Sequence, residues 1–252
     1  MRNGITYNST TKRHLITPIL FYFLSYFLSP SSSAEAVFIN VYLKLSSPNH
    51  IAPLINSFNE FLKQDQIINT YKIKPFLEHR PLHVTLYLTH YKKKYTEKLI
   101  HRIKNLAQQE SALLINSNQF QVSTNAYVML TVKKSKGLQQ LSDKTVHLLM
   151  SLHDKSATIP LWAANDTKKR ALFKHYGSPG VLTLFNPHFS IMDPEHLNSR
   201  QQKNLVPKLQ QLVQQFSSLT STNKTAKAYA LAVGIADNQG QIIKELASFP
   251  LK

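Results

Sequence analysis

The chain has 252 residues, a formal net charge of +17 and no cysteine. The missing cysteine excludes disulfides, a lipid-anchoring thiol, thiolate catalysis and cysteine-ligated zinc. A hydrophobic share of 42% is that of an ordinary globular protein, and the basic excess favours anionic partners such as nucleotides, RNA or a phosphate-rich surface.

Lys12 and Arg13 precede an uncharged, mostly apolar run from Leu15 to Leu28, and Ser31-Ser32-Ser33-Ala34-Glu35-Ala36 follows it. A basic flank, a short apolar stretch and an Ala-x-Ala ending make up a secretory signal. Residues 1–36 are therefore expected to be a signal peptide cleaved after Ala36, with the protein exported to the periplasm or secreted; the alternative is an uncleaved anchor. The apolar run falls short of the roughly 20 residues that a membrane-spanning helix needs, so no stable span is expected after cleavage. Removing residues 1–36, with Arg2, Lys12, Arg13 and Glu35, lowers the charge from +17 to +15. Residues 37–252 then suffice for a single two-lobed domain with a substantial core.

Val37 to Leu45 is rich in strand formers and opens the expected fold. Ile51, Leu54, Ile55, Phe58 and Leu62 recur at helical spacing, with Asn49 as a cap. Leu82 to Tyr91 reads as a strand, and Leu99, Ile100, Ile103, Leu106 and Ala107 as a second amphipathic helix. Phe120 to Val132 reads as one strand or a pair, and Leu138 to Leu152 as a third helix. Pro160, Gly177, Pro179 and Gly180 break the period between residues 154 and 180, which predicts a long loop holding at most one short helix. A strand from about Leu182 to Ile191 and a helix around Leu205 to Phe216 follow. Ala228 to Ala236 and Gln241 to Phe249 flank Asp237-Asn238-Gln239-Gly240 as a terminal hairpin. Strands alternate with helices but end in a hairpin, so the class is α+β with antiparallel pairing.

One long-range echo stands out. His83-Val84-Thr85-Leu86 and His188-Phe189-Ser190-Ile191 share the order histidine, apolar, hydroxyl, apolar. Side chains alternate across a strand, so each motif sets an imidazole and a hydroxyl on one face and apolar residues on the other. Phosphodiester chemistry can use such a duplicate. One imidazole takes a proton from the attacking oxygen and the other gives one to the departing oxygen, both near neutral pH. The hydroxyls can bond the non-bridging phosphate oxygens, where charge accumulates. No metal or other cofactor is required. Both imidazoles are expected on a cleft face, where truncation leaves a wet gap.

Pro81-Leu82-His83-Val84-Thr85-Leu86 and Phe185-Asn186-Pro187-His188-Phe189-Ser190-Ile191 resemble the two motifs of the two-histidine phosphoesterase superfamily, which includes the 2′-5′ RNA ligase-like proteins and the cyclic phosphodiesterases. The resemblance implies a pseudo-twofold fold of two lobes, with antiparallel sheets flanking a central cleft and helices outside. It implies His83 and His188 as the catalytic pair and Thr85 and Ser190 as phosphate ligands. The substrate expected is a 2′,3′-cyclic phosphate or 2′-5′ bond, in an RNA end or a cyclic nucleotide, cleaved by a monomer. The alternative is a non-catalytic nucleotide- or RNA-binding module on the same fold.

Tyr176, Trp162 and Tyr42, with Tyr127, offer faces for base stacking or for lining the cleft; packing against the body is the plainer expectation for the loop aromatics. Eleven histidines invite a metal, but Pro81 disrupts the helix that His79 and His83 would need to share a site. No metal is expected.

Overall fold

The computed structural model describes residues 35–252; the expected signal region up to Ala34 lies outside them. Strand β1 (Ala36–Leu45) leads into helix α1 (Ile51–Gln64) and a short α2 (Ile67–Thr70). Strand β2 (His83–Lys92), helix α3 (Thr96–Ala107), strands β3 (Leu113–Val122) and β4 (Val128–Val132) and helix α4 (Lys136–Leu149) come next. The second half holds α5 (Leu161–Ala164), α6 (Thr167–Tyr176), β5 (His188–Met192), α7 (Ser199–Leu219), β6 (Thr225–Ala236) and β7 (Ile242–Pro250).

Local chemistry sets the helix starts. The Asn49 side chain accepts from the backbone N–H of Ile51 and Ala52, both at 3.0 Å, although His50 is the residue next to α1. Ser135 accepts from Leu138 at the head of α4, and Asn198 with Gln201 forms a capping box on α7. The apolar stripe of α1 is buried at all five expected positions. At the terminal hairpin, Gly240 takes φ +79°, the left-handed conformation that glycine adopts without strain.

The strands form an antiparallel sheet in the order β2-β1-β6-β3-β4-β5, with β7 added to β6. Strand β6 is the junction. Its first residues pair with β3, its later ones with β7, and β1 runs along it from Ala228 to Ile235. Strand β6 keeps one face in the main core along its length. Ala226 and Ala228 join the main core while Lys227 and Tyr229 stay exposed; a bulge at Tyr229 sets Ala228 opposite Leu45 and Leu231 opposite Leu43, so Leu231 and Val233 join the core from the same face. Two helix layers cover the sheet: α3 and α4 lie against β2, β6 and β7, and α7 lies against β3. The α1 side chain Phe58 joins that second layer, stacked on Phe120 of β3 at 4.2 Å and edge-on to Phe216 of α7 at 5.1 Å.

Two expectations are corrected. Residues 154–180 hold two helices, α5 and α6; Asp166 caps α6 and Gly177 ends it in the left-handed region at φ +70°. The strand expected from Leu182 begins only at His188, because Leu182–Leu184 is a 3-10 turn and Pro187, lacking an N–H, sits just before the ladder. Among the described residues no helix is long and apolar enough to cross a membrane.

Phe58 is fully buried between both halves of its layer. Phe58→Ala is expected to cost about 3–5 kcal/mol, read as a shift of the urea midpoint at unchanged slope.

Candidate active site

His83 and His188 are the first residues of β2 and β5, the two ends of the sheet order. The sheet curls so that these end strands lie beside each other. Phe76, Arg80, His83, Ser190 and Gln241 line the space where they meet.

Each imidazole is fixed in the same way. His83 Nδ1 lies 2.9 Å from the carbonyl oxygen of Pro81, and His188 Nδ1 lies 2.8 Å from that of Asn186, two residues back in both cases. A carbonyl oxygen only accepts, so Nδ1 carries the hydrogen and Nε2 keeps its lone pair. Both histidines thus have one tautomer, with the lone pair free on Nε2.

The strand register is duplicated as well. Thr85 lies opposite Tyr42 of β1, and Ser190 opposite Met129 of β4. One residue further on, both pairings slip: Val41 pairs with Tyr87 and Val128 with Met192, leaving Leu86 and Ile191 as the extra residues of two bulges. These are the fourth residues of the two motifs. Bulges re-aim neighbouring side chains, and here each motif hydroxyl meets a donor from the adjacent strand. Asn40 Nδ2 donates to Thr85 Oγ1 at 2.8 Å, and the Tyr127 hydroxyl donates to Ser190 Oγ.

The environments of the two imidazoles differ. His83 is buried at 6% exposure, with Tyr42 edge-on at 5.4 Å. Burial pushes its pKa down to about 4, against the opposing pull of the Pro81 carbonyl; the charge of His188 lowers it further. His188 is partly exposed, and burial lowers its pKa against the Asn186 carbonyl. The expectation that both histidines merely face a wet cleft is therefore corrected for His83, whose truncation leaves a gap against Tyr42.

Of the aromatic candidates, Tyr42 is 1% exposed and its hydroxyl donates to Glu245 at 2.8 Å, so it supports His83 and has no free face for a base. Trp162 stands exposed on α5 under the Lys169 ammonium, and the Tyr176 ring packs against His147 and His175. Neither lines the space at His83. Sequence reasoning missed Asn40, Arg80 and Gln241. Asn40 is a lone amide inside an apolar strand, and Arg80 sits three residues before His83, where its guanidinium reaches Asp237 at 3.1 Å. Among the described residues no group of three or more histidine, cysteine or acidic side chains gathers at one point.

No protein-family model matches the sequence, and no curated protein is significantly similar to it. Among solved structures, Usb1 of Kluyveromyces marxianus aligns over 87% of this chain and 99% of its own, with a TM-score of 0.50 and 14% identity. The chain shares the fold of Usb1. A crystal structure of a phosphoesterase aligns over 86% of this chain and 99% of its own (TM-score 0.49, 11% identity). LigT of Escherichia coli, complexed with 3′-AMP, aligns over the same shares (TM-score 0.49, 10% identity). At such identities the likeness is one of fold.

The buried His83 also gives stability a pH dependence. Its folded pKa of about 4 lies below the unfolded value near 6.5. Between these values the unfolded chain takes up a proton that the folded one refuses. Stability is therefore full above pH 6.5 and falls as the pH drops toward 4, by on the order of 3 kcal/mol. Urea unfolding at pH 7.5 and pH 4.5 is expected to show a smaller drop for His83→Gln than for the wild type; equal drops would mean that His83 titrates normally.

Proposed function

We propose that the protein is a metal-independent phosphodiesterase cleaving a 2′,3′-cyclic phosphate or a 2′-5′ bond of RNA or nucleotides. The observation that carries this reading is the matched tautomer: two imidazoles present Nε2 from facing strands, each beside a hydroxyl whose oxygen already accepts a hydrogen bond. The fold shared with Usb1 supports it at the level of architecture.

His83, held neutral by burial, acts as the base. Its Nε2 takes a proton from water while the water oxygen attacks phosphorus. The bond from phosphorus to the ester oxygen breaks, and that oxygen takes the proton from Nε2 of a cationic His188. The anionic substrate offsets the burial that otherwise disfavours this cation. Thr85 and Ser190 donate to the non-bridging oxygens as charge builds on them. The products are an alcohol and a phosphomonoester, and proton exchange with solvent resets the pair. The net positive charge draws polyanionic substrates. Cleavage after Ala36 and export direct this activity to nucleotides or RNA outside the cytoplasm.

The purified protein is to be assayed in excess chelator against 2′,3′-cyclic nucleotides and 2′-5′-linked dinucleotides. Turnover is expected to persist, and His188→Ala to lower it by about 10²- to 10⁴-fold. His83→Ala, checked for folding, should do the same, and the double variant should be little worse than either. Near-native rates in a folded single variant point instead to a non-catalytic binding module. Activity that needs a divalent ion moves the chemistry to metal-assisted hydrolysis.

A further inference from the structure

The duplication extends one residue pair beyond the motifs. Asn40 stands two residues before Tyr42, the partner of Thr85, and Tyr127 stands two residues before Met129, the partner of Ser190. In each lobe the bulge at the motif's fourth residue lies between that partner and the preceding pair. Asn40 and Tyr127 thus occupy equivalent places, and both turn a donor onto the motif hydroxyl. We propose that Asn40 and Tyr127 are a matched pair of positioning residues that aim the hydroxyl protons of Thr85 and Ser190 at the substrate phosphate. The inference rests on the phosphoesterase reading and assigns its phosphate-binding geometry.

The number of available protons sets the direction of each hydrogen bond. A hydroxyl has a single hydrogen. The Asn40 amide nitrogen is donor-only, and both its hydrogens are used, on Thr85 Oγ1 at 2.8 Å and on the carbonyl of Gly240 at 2.9 Å. Thr85 must therefore accept from Asn40, which leaves its own hydrogen for another oxygen. The Tyr127 phenol, which burial keeps protonated, donates to Ser190 Oγ. Ser190 is then left with a hydrogen to donate, as Thr85 is. Two outward-directed hydroxyl donors, one from each wall, match two non-bridging oxygens of one phosphate.

The pair is not symmetric in its reach. The Tyr127 oxygen also lies 3.4 Å from His188 Nε2, whereas Asn40 bonds only Thr85 and Gly240. With its hydrogen spent on Ser190, that phenol oxygen can only accept. It faces a lone pair when His188 is neutral, and it receives Nε2–H when His188 is a cation. Tyr127 therefore favours the charged form of His188, while Asn40 has no such effect on His83.

Binding of inorganic phosphate, followed by calorimetry and by NMR titration of the histidines, tests this whether or not a good substrate is in hand. Tyr127→Phe and Asn40→Ala are each expected to weaken phosphate binding roughly three- to tenfold. In a Ser190→Ala background Tyr127→Phe should add almost nothing, and in a Thr85→Ala background Asn40→Ala should add almost nothing. Tyr127→Phe alone should move the His188 titration to lower pH. Should Asn40→Ala fail to fold, Tyr127→Phe decides the matter. Unchanged phosphate binding in Tyr127→Phe, or a loss that multiplies with that of Ser190→Ala, overturns the positioning role. If Thr85→Ala and Ser190→Ala themselves bind phosphate as the wild type does, it is the phosphoesterase reading that falls.

Discussion

Strand β6 is the constraint on which the rest of the molecule depends. It hydrogen-bonds β1 on one side, and β3 and then β7 on the other, and a bulge at Tyr229 keeps one of its faces in the core along its length. A sheet that keeps its core on one face can curl about the other until its end strands meet. Those ends are β2 and β5. The encounter of His83 with Ser190 across one narrow space follows from that curl, and no loop is needed to carry either residue.

Once the edges face each other, the chemistry is set by atoms two residues upstream of each histidine. The carbonyls of Pro81 and Asn186 select the tautomer, so the nitrogen with a free lone pair is the same on both walls. The surroundings then separate the two groups. His83 is buried against Tyr42 and resists protonation. His188 is more open and lies beside a phenol oxygen that can accept a hydrogen bond from its Nε2–H. Similar motifs in dissimilar environments are what an acid and a base working together require.

Much of this was legible in the chain because it rests on period and short-range chemistry. The α1 stripe, the Asn49 cap, the terminal hairpin and the paired motifs follow from spacing alone. What the sequence concealed depends on partners distant in the chain. Asn40 looks like a polar flaw in an apolar strand until β2 is laid beside it. Tyr127 gains its role only where β4 meets β5, and the two bulges at Leu86 and Ile191 have no signature because both residues are ordinary core side chains. Residues 154–180 misled because Pro160 and Gly177 punctuate the region at the ends of its two helices, where they bound helices and do not break them. Tyr42 drew attention as an aromatic near the motif; its depth could not be read before the sheet was assembled.

The central claim is that His83 and His188 act as one acid–base pair, and the pH dependence of kcat/KM on a 2′,3′-cyclic nucleotide in chelator tests it most directly. The account requires a bell-shaped profile, with an acid limb set by the base that must be neutral and a basic limb set by the acid that must be charged. In His188→Ala the residual rate should lose the basic limb. A profile with a single limb in the wild type, or a bell that survives unchanged in His188→Ala, would contradict the pairing.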